Sequence, residues 1–237
     1  MPLQTVAPQR LYQQIAEQLR TLITAGEFTP GSRLPAERDL AKQLGVSRPS
    51  VREALIALEV EGWVEVRTGS GVYVQDRSNT AARGNPIALN EWGPLELIRA
   101  RRVLEGEIAS LAASMAKRKD IAAMRLALAD MVRDADAGTL PIEGDRAFHS
   151  AIVQSTGNTV LIETIHGFWD SRRGPLFERL GGYFETVASW RSAIAEHTAI
   201  LDAIVAHDAP GARAAMHAHM DKSHTRFSAS WRRAKAS

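Results

Sequence analysis

The chain has no cysteine, which excludes disulfide bridges and thiolate metal sites, so any metal must be held by histidine and carboxylate. It also lacks a long apolar run. No stretch approaches the ~18 to 20 residues that a membrane span needs, and the start MPLQTVAPQR has no signal-peptide core. A cytoplasmic protein is the expectation. An excess of one charge is missing as well: 29 Lys and Arg stand against 27 Asp and Glu, a formal net charge of +2, and residues 1–75 carry eight of each sign. Bulk charge therefore argues for no partner, and a nucleic-acid reading must rest on where the charges sit. There is no repeat of fixed period and no low-complexity tract. What is present, 45% hydrophobic and 24% charged residues over 237 positions, is ordinary globular composition with length enough for two modest domains.

The texture changes twice. Residues 8–75 are dense and patterned; residues 76–93, DRSNTAARGNPIALNEWG, are polar and rich in Gly, Asn and Pro, which reads as a linker. Residues 94–233 are rich in Ala, Leu and Ile with a period of three to four, and no alternating strand stands out, so this second domain is expected to be all helix. In the front piece, Leu11, Ile15, Leu19, Leu22 and Ile23 form one stripe of a helix that ends at Gly26. AERDLAKQLGV is a short helix stopped by Gly45. SRPSVREALIALEVEGW follows, with Ser47 as N-cap and Pro49 in the first turn. Two short helices joined at a glycine make a helix-turn-helix. WVEVRTGSGVYVQ then alternates on either side of Gly69-Ser70-Gly71, a hairpin or wing. The fold class expected is mainly α, an N-terminal winged helix-turn-helix followed by a helical bundle.

A recognition helix presents its N-terminal residues to base edges, which nominates Ser47, Arg48, Ser50 and Arg52. Arginine suits bidentate contact with guanine, about 1 to 3 kcal/mol of discrimination per pair. Arg38 would add a phosphate or base contact, and at the wing Arg67, Thr68 and Gly69 allow close approach to the backbone or minor groove. The other reading of these arginines is solvated surface.

The helical half holds its own candidates. In GDRAFHSAI, Asp145 and His149 lie one turn apart on one helix face, as a metal site or a buried ion pair requires. His197 falls within the apolar stripe of Ile194, Leu201, Ile204 and Val205, and an inward imidazole needs a partner. On the last helix Ala212, Met216 and His219 share a face, while His217, about 200° away, does not, so periodicity favours His219 by a small margin. Arg101 lies in the stripe Leu97, Leu104, Ile108, Leu111, and wants an anion; an i,i+4 pair with Glu105 would also explain it. HGFWDSRRGPLFERL gathers Trp169, Arg172 and Arg173 before a Gly-Pro break, an aromatic face and a guanidinium for a sugar acid, or a packed helix end. Trp190 and Arg191 raise the same possibility.

PGSRLPAERDLAKQLGVSRPSVREALIALEVEGWVEVRTGSGVYV closely resembles the winged helix-turn-helix of GntR-family bacterial transcription regulators, whose hallmark runs P-G-x-x-L-P-x-E-R-x-L-A, then G-V-S-R-x-x-V-R-E-A-L, then G-x-V. The helical part resembles the FCD effector domain of the FadR subfamily, and ELIRARRVLEGEIASLAA, HGFWDSRRGPLFERL and VASWRSAIAEHTAIL are similar to hexuronate-pathway repressors. The resemblance implies DNA contacts at Arg38, Ser47, Arg48, Ser50, Arg52 and the wing, and a homodimer on a near-palindromic operator. It also implies a divalent ion, Zn²⁺ with Ni²⁺ or Mn²⁺ as alternatives, on Asp145, His149, His197 and His219. A small carboxylic acid, a hexuronate or related sugar acid, would then bind with help from Arg101, Trp169 and Arg172. The expected mechanism is repression that weakens when the acid shifts the balance between two conformations, with residues 76–93 as the coupling path. A constitutive DNA-binding protein with a purely structural metal is the alternative. A metal-dependent enzyme is more distant, because no HExxH and no evident general base accompany the histidines.

Overall fold

The computed structural model describes residues 10–76, 87–88 and 91–229. Most of the stretch read as a linker, residues 76–93, lies outside the described residues. The chain divides into two compact units: Met1–Pro94 with Gly174–Leu180, and Leu95–Arg173 with Gly181–Ser237.

The first unit opens with α1 (Leu11–Thr24), whose Tyr12, Ile15, Ala16 and Leu19 are buried. Of the expected stripe Ile15 and Leu19 are buried and Ile23 partly so, but Leu11 and Leu22 stay exposed, and Tyr12 and Ala16 complete the inward face. Helix α2 (Glu37–Leu44) stops at Gly45, whose φ of 65° is the left-handed conformation that glycine tolerates without cost. Helix α3 (Arg48–Val60) starts at Ser47, whose hydroxyl accepts the Ser50 N–H at 3.2 Å, with Pro49 in the first turn. Both α1 and α2 pack against α3. Val51, Ala54, Leu55, Ile56 and Leu58 of α3 are all buried, each large side chain contributing about 1.5 to 3 kcal/mol of transfer free energy. Strands β1 (Val64–Arg67) and β2 (Gly71–Val74) pair antiparallel, Val64 opposite Val74 and Arg67 opposite Gly71. The hairpin turns at Gly69, φ 80°. Residues 174–180 belong to this unit: the Leu176 N–H donates to Glu91 Oε1 at 3.0 Å, and Arg179 makes a bidentate pair with Glu59 at 2.9 and 2.7 Å.

The second unit is helical, built from α4 (Pro94–Met115), α5 (Arg118–Asp136), α6 (Ile142–Ser155), α7 (Thr159–Ser171), the end of α8 (Pro175–Phe184), α9 (Val187–Val205) and α10 (Ala209–Phe227). Helix α5 packs on α6 and α9, α6 on α7, and α9 on α10. One core joins Ala109 and Ala112, Met124 and Met131, Phe148 and Ile152, Ile200 and Ile204, and Met216. Gly144 makes the α5–α6 approach possible, since a Cβ there would fall 2.7 Å from the Met131 side chain. The expected α4 stripe needs one correction. Leu97 and Ile108 are buried, but Leu111 is 44% exposed, and the inward positions are Ala109, Ala112 and Ala113. These alanines join the core of the unit, and Leu111 lies outward with Val103 and Met115, also exposed.

Candidate metal centre and DNA-reading face

Helix α6 carries Asp145 and His149 one turn apart, α9 contributes His197 and α10 His219. All four are buried, and one donor atom from each lies within 4.8 Å of the others. His197 Nε2 stands 2.9 Å and His149 Nε2 3.4 Å from Asp145 Oδ1, and the two Nε2 atoms are 3.2 Å apart. The outer nitrogen of each ring meets an acceptor: His149 Nδ1 faces Glu105 Oε2, His197 Nδ1 the Ala193 carbonyl at 2.7 Å, and His219 Nδ1 Glu196 Oε2 at 2.8 Å. These partners can only accept, so each Nδ1 donates, and a neutral ring then turns the lone pair of its Nε2 toward the centre. Asp145 Oδ1 receives no hydrogen bond from any other side chain among the described residues. Acceptor atoms this close repel one another unless a proton or a cation lies between them.

The electrostatics agree. Burial would raise Asp145, yet the imidazoles of His149 and His197 beside it hold the carboxyl well below the usual carboxylate range. Burial likewise opposes charge on His149, but Glu105 outweighs it and raises the imidazole. His219 is pushed down to about 3 by burial and by the charge of His197. The cluster thus favours positive charge at its centre and cannot place it on every ring. Three imidazoles and one carboxylate are a donor set for a divalent transition ion, with room in its coordination sphere for a further ligand. Phe148 stands edge-on to His197 at 5.0 Å and Trp169 tilts over His149 at 5.4 Å, fixing the rings.

Each carboxylate that orients an imidazole also holds an arginine. Glu105 pairs with Arg101 at 2.5 Å, and Glu196 with Arg226 at 3.0 Å. Burial opposes ionisation of both acids, but Arg101 and His149 hold Glu105 at about 2, and His219 and Arg226 hold Glu196 at about 2. Arg101, Arg172 and Arg226 line a cavity that also touches Asp145 and His219. Arg172 bridges Asp145 Oδ2 at 2.8 Å and Glu185 at 3.2 Å. Trp169, expected to offer its face to a ligand, is instead buried behind the cavity, where it seats the guanidiniums of Arg101 at 4.4 Å and Arg172 at 4.5 Å. The tryptophan that lines the cavity is Trp190. Arg173 and Arg191 are turned outward, to Glu143 and Asp136. His217 lies half-buried against Gly106, away from the cluster.

On the first unit, Ser47 is exposed at the start of α3 and Arg48 beside it is half-exposed, 3.7 Å from Glu37. Arg38 extends from α2 with its side chain 81% exposed. At the wing, Arg67 is exposed, stacks on Tyr73 at 4.5 Å and pairs with Glu65, and Gly69 sits at the tip with Thr68 beside it. Arg52 departs from expectation. Only 1% of its side chain is exposed, and it binds Glu37 through Nε at 2.8 Å and Nη2 at 2.7 Å. Position 52 falls on the core side of α3, where its charge ties α3 to α2 through Glu37.

Residues 11–74 match the bacterial regulatory proteins of the gntR family, and residues 96–222 match the FCD domain. The chain belongs to the GntR family and carries an FCD domain. An Uxu operon transcriptional regulator of Escherichia coli K12 is 39% identical over 218 residues, covering 90% of this chain and 85% of that protein. The Exu regulon transcriptional regulator of the same strain is 37% identical over 220 residues, covering 90% and 83%. Among solved structures, E. coli McbR/YncC aligns with a TM-score of 0.51 at 25% identity, over 92% of this chain and 97% of that one. This GntR-family chain is therefore a DNA-binding transcription regulator, and its relatives are regulators and not enzymes. No helix among the described residues is long and apolar enough to cross a membrane.

Four residues in or beside the cavity escaped the sequence. Glu105 appeared only as a surface partner for Arg101, whereas it is buried and shared with His149. Glu196 is next to His197 in sequence yet faces His219, and neither Arg226 nor Glu185 carried any local signal. Periodicity names the inward face of a helix; it does not say which distant helix that face meets.

Proposed function

We propose that this regulator is a cytoplasmic, homodimeric repressor whose grip on a double-stranded operator weakens when a small carboxylic acid, a hexuronate or related sugar acid, binds at a divalent ion in the FCD domain. The observation that carries the reading is the cavity in which three arginines and Asp145 and His219 meet. Asp145, His149, His197 and His219 would hold the ion, Zn²⁺ before Ni²⁺ or Mn²⁺, and the ion would offer a vacant position to the acid's oxygens. Arg101 and Arg172 would hold the acid by charge-assisted hydrogen bonds, with Trp169 as the support on which both guanidiniums rest. The names of the Uxu and Exu relatives support hexuronate as the acid class. Ser47, Arg48 and Ser50 at the start of α3, Arg38 on α2, and Arg67, Thr68 and Gly69 on the wing would meet DNA, with arginine able to read guanine and the wing able to approach the backbone. Exposed Val103, Leu111 and Met115 on α4 support association with a second copy.

The acid can act only if it binds the DNA-competent and DNA-released forms unequally. Operator binding titrated with a panel of sugar acids, with and without chelator, tests the reading. Release by an acid that requires the ion supports it. Operator affinity unmoved by any acid in the ion-loaded protein would favour a constitutive binder with a structural metal.

A further inference from the structure

The acid's net charge is readable from the cavity, provided that the cavity is the acid site proposed above. The guanidiniums of Arg101, Arg172 and Arg226 stand against the carboxylates of Glu105, Asp145, Glu185 and Glu196. Lys222, 3.8 Å from Glu196, is 63% exposed and screened by solvent. Imidazoles that ligate an ion are neutral. Three positive and four negative side chains with one divalent ion leave a single positive charge in a largely buried site. One carboxylate neutralises it; a second would bring an unpaired anion into low dielectric.

Glu185 sets this limit. It follows α8 directly in the α8–α9 junction, its side chain is only 14% exposed, and burial raises its carboxyl above the ordinary value. Arg172, with which it pairs, is shared with Asp145. The cavity has a free volume of about 30 Å³, room for a water and not for a six-carbon acid, so a ligand of that size must displace side chains. The Arg172–Glu185 pair is the contact that stands in its way. Two buried donors beside it, Arg101 Nη2 and Trp190 Nε1, have no hydrogen-bond partner among the described residues. They would serve the ligand's oxygens, while a carboxylate freed from Arg172 accepts hydroxyl protons.

We propose that Glu185 restricts the effector to polyhydroxy acids bearing one carboxylate: the acid's carboxylate replaces Glu185 on Arg172, Glu185 turns to the ligand's hydroxyls, and dicarboxylates are rejected by its charge. The test is calorimetric titration of the full-length, Zn²⁺-loaded protein with glucuronate, with glucarate, its dicarboxylate of equal carbon number, and with glucose. Wild type should bind glucuronate at least tenfold more tightly than glucarate, and glucose least. Glu185→Gln should close or reverse the gap through a gain of at least tenfold for glucarate, with Glu185→Ser as a second variant and zinc content confirming that each is loaded. Equal or tighter binding of glucarate by wild type overturns the proposal, as does a ratio unchanged by both variants. If wild type binds neither acid, the effector reading of the cavity fails first and this inference with it.

Discussion

Replacing Glu105 with Gln keeps the shape of a side chain that is 3% exposed and removes a charge shared by Arg101 and His149. Two consequences can be separated. Arg101, itself 4% exposed, loses its countercharge, and stranding one member of a buried pair costs about 3 to 5 kcal/mol. For a chain of this size, roughly 2 to 4 °C per kcal/mol, the midpoint should fall by roughly 6 to 20 °C. Independently, His149 loses the carboxylate that fixes its tautomer, and loss of such a partner lowers metal affinity about 10- to 100-fold. The double variant Arg101→Met with Glu105→Gln distinguishes them, because it removes both charges. It should recover most of the thermal stability and none of the ion affinity. Differential scanning calorimetry of chelated protein and competitive zinc titration read the two quantities. If Glu105→Gln keeps both the midpoint and the zinc affinity of wild type, the buried relay from ion to arginine is not what holds this site.

Arg48→Ala should weaken operator binding by about 1 to 3 kcal/mol in a gel-shift titration and leave the thermal midpoint within error. Arg52→Ala should instead lower the midpoint, by about 3 to 5 kcal/mol in stability, since it strands Glu37 in the interior; an Arg52 variant of wild-type stability would restore that residue as a DNA contact. Ion binding should also release protons. Glu105 raises His149 against the effect of burial, so this ring keeps its second proton to higher pH in the ion-free protein and must give it up to ligate. Calorimetry in buffers of differing ionisation enthalpy should find proton release on ion binding, and ion affinity should rise with pH through the range in which His149 titrates. No release, or the opposite slope, would contradict the assigned roles. Finally, His197→Ala should abolish the stabilisation that added Zn²⁺ gives wild type, about 4 kcal/mol at a thousandfold excess over Kd.

Much of the local structure was legible because it is periodic or punctuated. Gly45 and Ser47 mark the helix-turn-helix by their backbone needs, and Ala212, Met216 and His219 point inward as a 3.6-residue period demands. What failed was pairing across distance. Arg52 looked like a reader because it lies near the start of α3, and only Glu37, fifteen positions earlier, reveals its role. Leu111 satisfied a stripe that the alanines of α4 draw to another face. Glu105 and His149 meet across 44 positions, and Glu196 and Arg226 across 30, separations at which a single sequence is silent.

The two chains of contact, His149 to Glu105 to Arg101 and His219 to Glu196 to Arg226, mean that nothing at the centre can change without tugging on the rim. If the ion seats these arginines, each ligand must tighten the other's hold by the same factor, as thermodynamic reciprocity requires. A cell starved of the metal would then be deaf to the acid, however much of it accumulated.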